Sequence, residues 1–192
     1  SAAVVVERVR EILSSDAASP VAAAGARAAG RLELNDQAKW LVQWVYKADE
    51  ADVREAAAAA LGKLDFEKKA ETLATMLANA VLEPGASLDL ALLGAMRESL
   101  RRKKPAKPPR RWIDLLTDIC SKIPTDAPDT LPATGPATTR AAVLAQQPMV
   151  ACEAAILLSE WDPNAARKFL WVQMDSPIVE VRDRAAVTLG RV

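Results

Sequence analysis

The strongest constraint on this chain is that it repeats itself at intervals of about 32 residues. Val21 begins VAAAGARAAGRL, Val53 begins VREAAAAALGKL, Val150 begins VACEAAILLSEW and Val181 begins VRDRAAVTLGRV. The four align without gaps. Valine comes first, small residues fill the fifth and sixth places, a Leu-Gly or Leu-Ser pair mostly fills the ninth and tenth, and the twelfth is apolar. The Val53 and Val181 copies agree most closely, through Arg54/Arg182, Ala57/Ala185, Ala58/Ala186, Leu61/Leu189 and Gly62/Gly190. Val21 to Val53 is 32 residues and Val150 to Val181 is 31, while the 97 from Val53 to Val150 is close to three more steps. A degenerate copy fits near Ser87, and the next expected position, near Cys120, is poorly kept. A unit of this length cannot bury its own apolar face, so neighbouring units must stack.

Each copy follows a second segment, at 4–14, 37–47, 66–82, 138–147 and 165–174. Apolar residues there recur at helical spacing, as in Trp40, Leu41, Trp44, Val45 or Leu73, Met76, Leu77, Ala80. Breakers separate the segments: Ser19-Pro20, the acids from Asp49 to Asp52, Glu83-Pro84-Gly85, Gln147-Pro148 and Asp175-Ser176-Pro177. Asp162-Pro163 opens a helix with proline in the first turn, where its missing N–H costs little. The unit is therefore a helix pair. Composition agrees: 39 residues are alanine, the best helix former, and strand formers are sparse.

The segment LWVQMDSPIVEVRDRAAVTLGRV resembles a HEAT repeat of the short bacterial kind, and VYKADEADVREAAAAALGKLD resembles it nearly as well. Both carry the Asp or Pro turn, the Val-Arg pair, the alanine pair and the terminal Leu-Gly. The resemblance is strong over 36–64 and 163–192, fair over 4–32 and 138–161, weak over 66–100, and absent from 101 to 137. It implies an all-α fold, a right-handed α-solenoid of about five to six antiparallel helix pairs. One domain over 1–192 is expected: N-terminal repeats at 1–100, a basic Pro-rich loop at 101–111, a degenerate helix at 112–123, a Pro-rich loop at 124–137 and C-terminal repeats at 138–192. The resemblance also implies a binding scaffold, expected to hold a protein partner without catalysis. The last inner helix carries no polar cap and the chain has no initiator Met, so a longer natural protein, or a partner packed on that end, is expected.

Lys plus Arg and Asp plus Glu balance at 25 each, and there is no histidine. Without histidine there is no His general base, no Ser-His or Cys-His pair and no His metal ligand. The charge balance hides an asymmetry. RRKKPAKPPRR contains Arg101, Arg102, Lys103, Lys104, Lys107, Arg110 and Arg111 and no acid, so the rest of the chain is −7. These seven are candidate contacts to an anionic partner, nucleic acid or acidic lipid, against the plainer reading of a solvated loop near the protein's own acids. Pro105, Pro108 and Arg110 also fit a ligand for SH3-like grooves. Pro124, Pro128, Pro132 and Pro136, four apart, mark a long exposed loop.

Trp40 and Trp44, one helical turn apart, are candidate partner-surface aromatics, though packing among alanines is the favoured role. Arg54 and Arg182 are expected to pair with turn acids such as Asp49, Asp52 or Asp175. Glu7/Glu11 and Asp114/Asp118 suit solvated faces better than acid–base work. A HEAT-like DNA alkylation glycosylase would need an acid with aromatic and basic neighbours, and Trp112, Asp114, Arg110 and Arg111 are the one cluster of that composition. No feature selects the HEAT-like phycobilin lyases. No catalytic residue, cofactor or metal site is expected. Two cysteines, Cys120 and Cys152, point to a reduced, cytoplasmic setting without excluding one bridge. No apolar stretch is long enough to span a membrane.

Overall fold

Helix formers interrupted by closely spaced breakers dictate short helices, and these dominate the computed structural model. It describes residues 2–15, 19–80, 86–103, 109–121, 148–176 and 179–192. Among them every regular element is helical, so the chain is all-α, as its composition and periodicity require. The elements are α1 (Ala2–Ser14), α2 (Ser19–Arg31), a 3-10 turn (Asn35–Gln37), α3 (Ala38–Lys47), α4 (Ala51–Lys63) and α5 (Lys69–Ala80). They continue as α6 (Ala86–Arg102), α7 (Arg110–Ser121), α8 (Pro148–Ser159), α9 (Pro163–Gln173) and α10 (Val179–Leu189). The four repeat copies fall on α2, α4, α8 and α10, and the degenerate copy on α6. The segment expected at 138–147 and the loop at 124–137 lie outside the described residues.

Local chemistry sets the helix ends. Asp162 caps α9, its carboxylate accepting the Ala165 N–H at 2.9 Å, with Pro163 in the first turn. Glu33 terminates α2 in the left-handed region (φ 53°), and Leu34 N–H reaches back to the Ala29 carbonyl at 3.1 Å. Glycine usually takes this place, because a side chain there costs about 1 kcal/mol. At the end of α4, the Lys69 ammonium donates to the carbonyls of Gly62 and Leu64, satisfying acceptors the helix leaves open. Burial pushes the Lys69 pKa down.

The chain divides into two compact units, residues 1–77 with 87–106, and 78–86 with 107–192. In the first, α1 packs on α2, while α2 and α3 both pack on α4. Two close approaches are made by glycine. A Cβ on Gly30 would lie 2.9 Å from the Ala60 Cα, and one on Gly62 would lie 2.6 Å from the Ala95 Cα. Backbone cannot yield at such distances, so only glycine permits them. Gly30 and Gly62 occupy the same repeat position. The way α2 meets α4 therefore recurs where α4 meets α6. Ala26, Ala57, Ala58, Leu61, Leu73, Leu77 and Met96 fill the interior.

In the second unit α8 packs on α7, α9 and α10, and α9 packs on α10. Trp112 is buried edge-on against Trp161, with ring centroids 6.0 Å apart. Val150, Ala154, Ala155, Leu170, Val181 and Ala185 are buried around them. Equal repeat positions are not equally covered, however. Val21 is 45% exposed where Val53, Val150 and Val181 are buried. Ala186 on α10 and Gly190 just past its end are exposed, although Ala58 and Gly62 on α4 are not.

The arginine ladder takes another form. Asp52 is bridged by Arg27 of α2, and Arg182 donates to the Ser176 carbonyl at 2.6 Å. The Arg54 Nε is buried with no hydrogen-bond partner. Asp52 is thus taken up by a charge on the neighbouring helix and Arg182 by a backbone oxygen of the turn, in place of the pairing with turn acids expected from sequence.

Candidate functional site

Helix α3 has one stripe of Ala38, Leu41 and Val45 turned inward. Trp40 and Trp44 flank that stripe, so each is half-buried. Both line a cleft of about 420 Å3 at the ends of four helices of the first unit. Leu13, Ser14 and Ser15 bring the end of α1, Ala22 the start of α2, Lys47 and Ala48 the end of α3, and Glu50 and Val53 the start of α4. The volume is that of a small-molecule or side-chain pocket.

Its lining is mixed, and polar atoms make up the larger share of its accessible wall. Leu13, Ala22 and Val53 are buried at the base, while Gln43, Lys47, Asp49 and Glu50 are exposed around it. The Ser14 hydroxyl donates to the Arg10 carbonyl and the Ser15 hydroxyl to the Ile12 carbonyl, both at 3.0 Å, which closes the end of α1. The Lys39 ammonium sits 5.3 Å from the Trp40 ring centroid. That ring face thus already attracts a cation. Two partly open indoles with charges of both signs at the rim can hold a side chain or short segment of a partner. Nothing in the arrangement pairs an acid with a nucleophile. The sequence points to the tryptophans, but it offers Asp49 only as part of a helix break and a partner for Arg54, and Glu50 only as part of that break. Their position between the outer and inner helix of a pair is the signal that would have placed them at the cleft.

The basic cluster is distributed differently from the single loop expected at 101–111. Arg101 and Arg102 form the last turn of α6, and Arg110 and Arg111 the first turn of α7. Local ion pairs explain the longer helix. Arg101 grips Glu98 through Nε (2.8 Å) and Nη2 (3.0 Å), and Arg102 bridges Glu98 (2.9 Å) and Glu33 (2.8 Å). The hydrogen bond from Arg101, aided by that from Arg102, holds the Glu98 carboxyl down at about 2. Two of the seven cations are thereby matched by the protein's own carboxylates. Lys103, Arg110 and Arg111 are exposed, and Lys104 and Lys107 lie outside the described residues. Arg101, Lys63, Glu98 and Gly94 also line a shallow groove of about 480 Å3 between α4 and α6.

The glycosylase-like cluster is not brought together on one surface. Trp112 is 1% exposed and packed edge-on against Trp161, whereas Asp114 faces solvent. Cys120 and Cys152 are both free thiols in the interior, and the Cys120 Sγ lies 3.9 Å from the Ala151 carbonyl. Burial pushes the Cys120 thiol up to about 12, so it stays protonated at neutral pH. Among the described residues no group of three acids or cysteines is placed to hold a metal ion, and no helix is long and apolar enough to cross a membrane. Comparison with protein-family models, curated protein sequences and solved structures returns no match.

Proposed function

We propose that this chain is a non-catalytic protein-binding scaffold, built as a HEAT-like α-solenoid and working in a reducing, cytoplasmic setting. The observation that carries the binding role is the cleft at Trp40 and Trp44. Large aromatic side chains left half-buried at a cleft are the groups that anchor protein partners most strongly. The solenoid reading draws support from the glycine-mediated contact that α2 makes with α4 and α4 makes with α6, one repeat apart. The buried free thiols suit the reducing compartment.

A photo-crosslinking residue placed at Gln43, on the rim, tests the cleft. In cells it should capture a defined protein, and Trp44→Ala should lower that capture about thirtyfold, the effect of removing a hot-spot side chain. Capture indifferent to both Trp40→Ala and Trp44→Ala would refute the site. Retention on a phosphate-rich matrix, abolished when Lys103, Arg110 and Arg111 become Ser, would favour an anion-binding role instead.

A further inference from the structure

We propose that copies of this chain associate head to tail, the open face of α10 on one copy receiving the open face of α2 on the next. The internal contact between α2 and α4 has two sides. Helix α2 contributes Gly30, at the tenth repeat position, with Ala26 one turn earlier at the sixth. Helix α4 contributes Ala60, at the eighth, with Val53 and Ala56, at the first and fourth, on the same face of the helix. All five are buried, and Gly30 touches Ala60 directly.

Each side also exists uncovered. On α10 the sixth position is Ala186 and just past its end the tenth is Gly190, both exposed, with Val187 beside them at 53% exposure. A Cβ on Gly190 would meet only carbonyl oxygens of its own chain segment, at 3.6 and 3.9 Å. On α2 the first, fourth and eighth positions are Val21, Ala24 and Ala28, the first two exposed and the third half-buried. Among the described residues, each half of a contact the chain makes internally thus recurs with its face exposed. Continuing that stacking interface selects a second copy of the chain as the occupant.

One difference between the internal and free halves strengthens the match. Inside the chain, Arg27 at the seventh position is bridged to Asp52, which directly precedes Val53. On α10 the seventh position is Val187, and the residue preceding Val21 is the exposed Pro20. An apolar pair would replace the ion pair, leaving no charge buried without a partner. The two faces differ, so the association is heterologous: each added copy leaves the same two faces open unless the assembly closes into a ring.

Sedimentation velocity of the full chain, from micromolar to near-millimolar concentration, tests this. The average mass should rise with concentration. Ala186→Glu and Ala24→Glu should each weaken association at least tenfold, by placing a carboxylate in an apolar helix crossing. An equimolar mixture of the two variants should give a one-to-one complex and nothing larger, because each variant keeps the face the other has lost. Both sites are exposed, and Val187→Glu with Val21→Glu repeats the test on different atoms, circular dichroism checking helix content. A chain monomeric throughout, an assembly indifferent to these changes, or variants that never pair would overturn the proposal. These readouts do not involve the cleft, so they stand or fall separately from it.

Discussion

Helices α4 and α10 carry the two most similar stretches of the sequence and meet different surroundings. On α4 the sixth, ninth and tenth positions, Ala58, Leu61 and Gly62, are all buried, and Gly62 touches the backbone of α6. On α10 and just past its end the same positions are Ala186, Leu189 and Gly190, of which the leucine is half-buried and the others exposed. The lesson is that a repeat motif encodes a contact surface, not a contact. Whether that surface contributes to stability depends on the neighbour supplied to it.

The largest test of this contrast is truncation of the leucines. Leu61→Ala should cost about 2–5 kcal/mol in chemical denaturation, because the cavity is enclosed. Leu189→Ala should cost about 1 kcal/mol, because water already reaches the site. Equal losses would break the comparison.

The glycines should change sign. Gly62→Ala gains helix propensity but drives a Cβ into the Ala95 Cα and carbonyl, for a net loss of about 1–3 kcal/mol in melting experiments. Gly190→Ala meets nothing closer than 3.6 Å and should be neutral or stabilising by about 0.5 kcal/mol. Gly94→Ala, with open space around it, should behave like Gly190→Ala.

Helix α6, which meets α4 at Gly62, carries a pH signature of its own. Asp89 is fully buried, and desolvation raises its pKa to about 7. The folded state then holds a proton that the unfolded chain has lost, so stability should fall as pH rises from about 4 to about 7. Asp89→Asn should flatten that limb in urea titrations at a series of pH values, gaining on the order of 1–3 kcal/mol at pH 8. Glu98 works oppositely. Its pKa is held at about 2, so its contribution is present above the unfolded value of 4.5 and is lost as pH falls toward 2. The smallest expected effect is Glu98→Gln, at most about 1 kcal/mol near neutrality, since its partner Arg101 is largely exposed.

The helix pairs were legible because alanine content, 3.6-residue periodicity and Pro or Asp breakers act locally. Asp162 with Pro163 opens α9 where those rules place it. The tryptophans were legible as candidates, but their half-open state was not, since that depends on α1, α2 and α4 meeting at the same edge. The basic run was misread as one loop for a related reason. A run of positive charge suggests repulsion and solvation, yet Glu98 lies one turn back and Glu33 is 69 residues away in sequence, and together they fold Arg101 and Arg102 into a helix end. Asp89 gave no signal: a carboxylate early in a helix looks favourable, and only the packing around it shows the desolvation.

Once Trp171, 64% exposed in the second unit, is replaced by Phe, the remaining tryptophans make the two units spectroscopically separable. Trp40 and Trp44, part-open in the first unit, should emit at longer wavelength and respond to acrylamide. The edge-on Trp112–Trp161 pair in the second unit should resist the quencher and give a coupled near-ultraviolet dichroism signal. One denaturation experiment read at both signals therefore reports whether the units melt together or in sequence, without an added label.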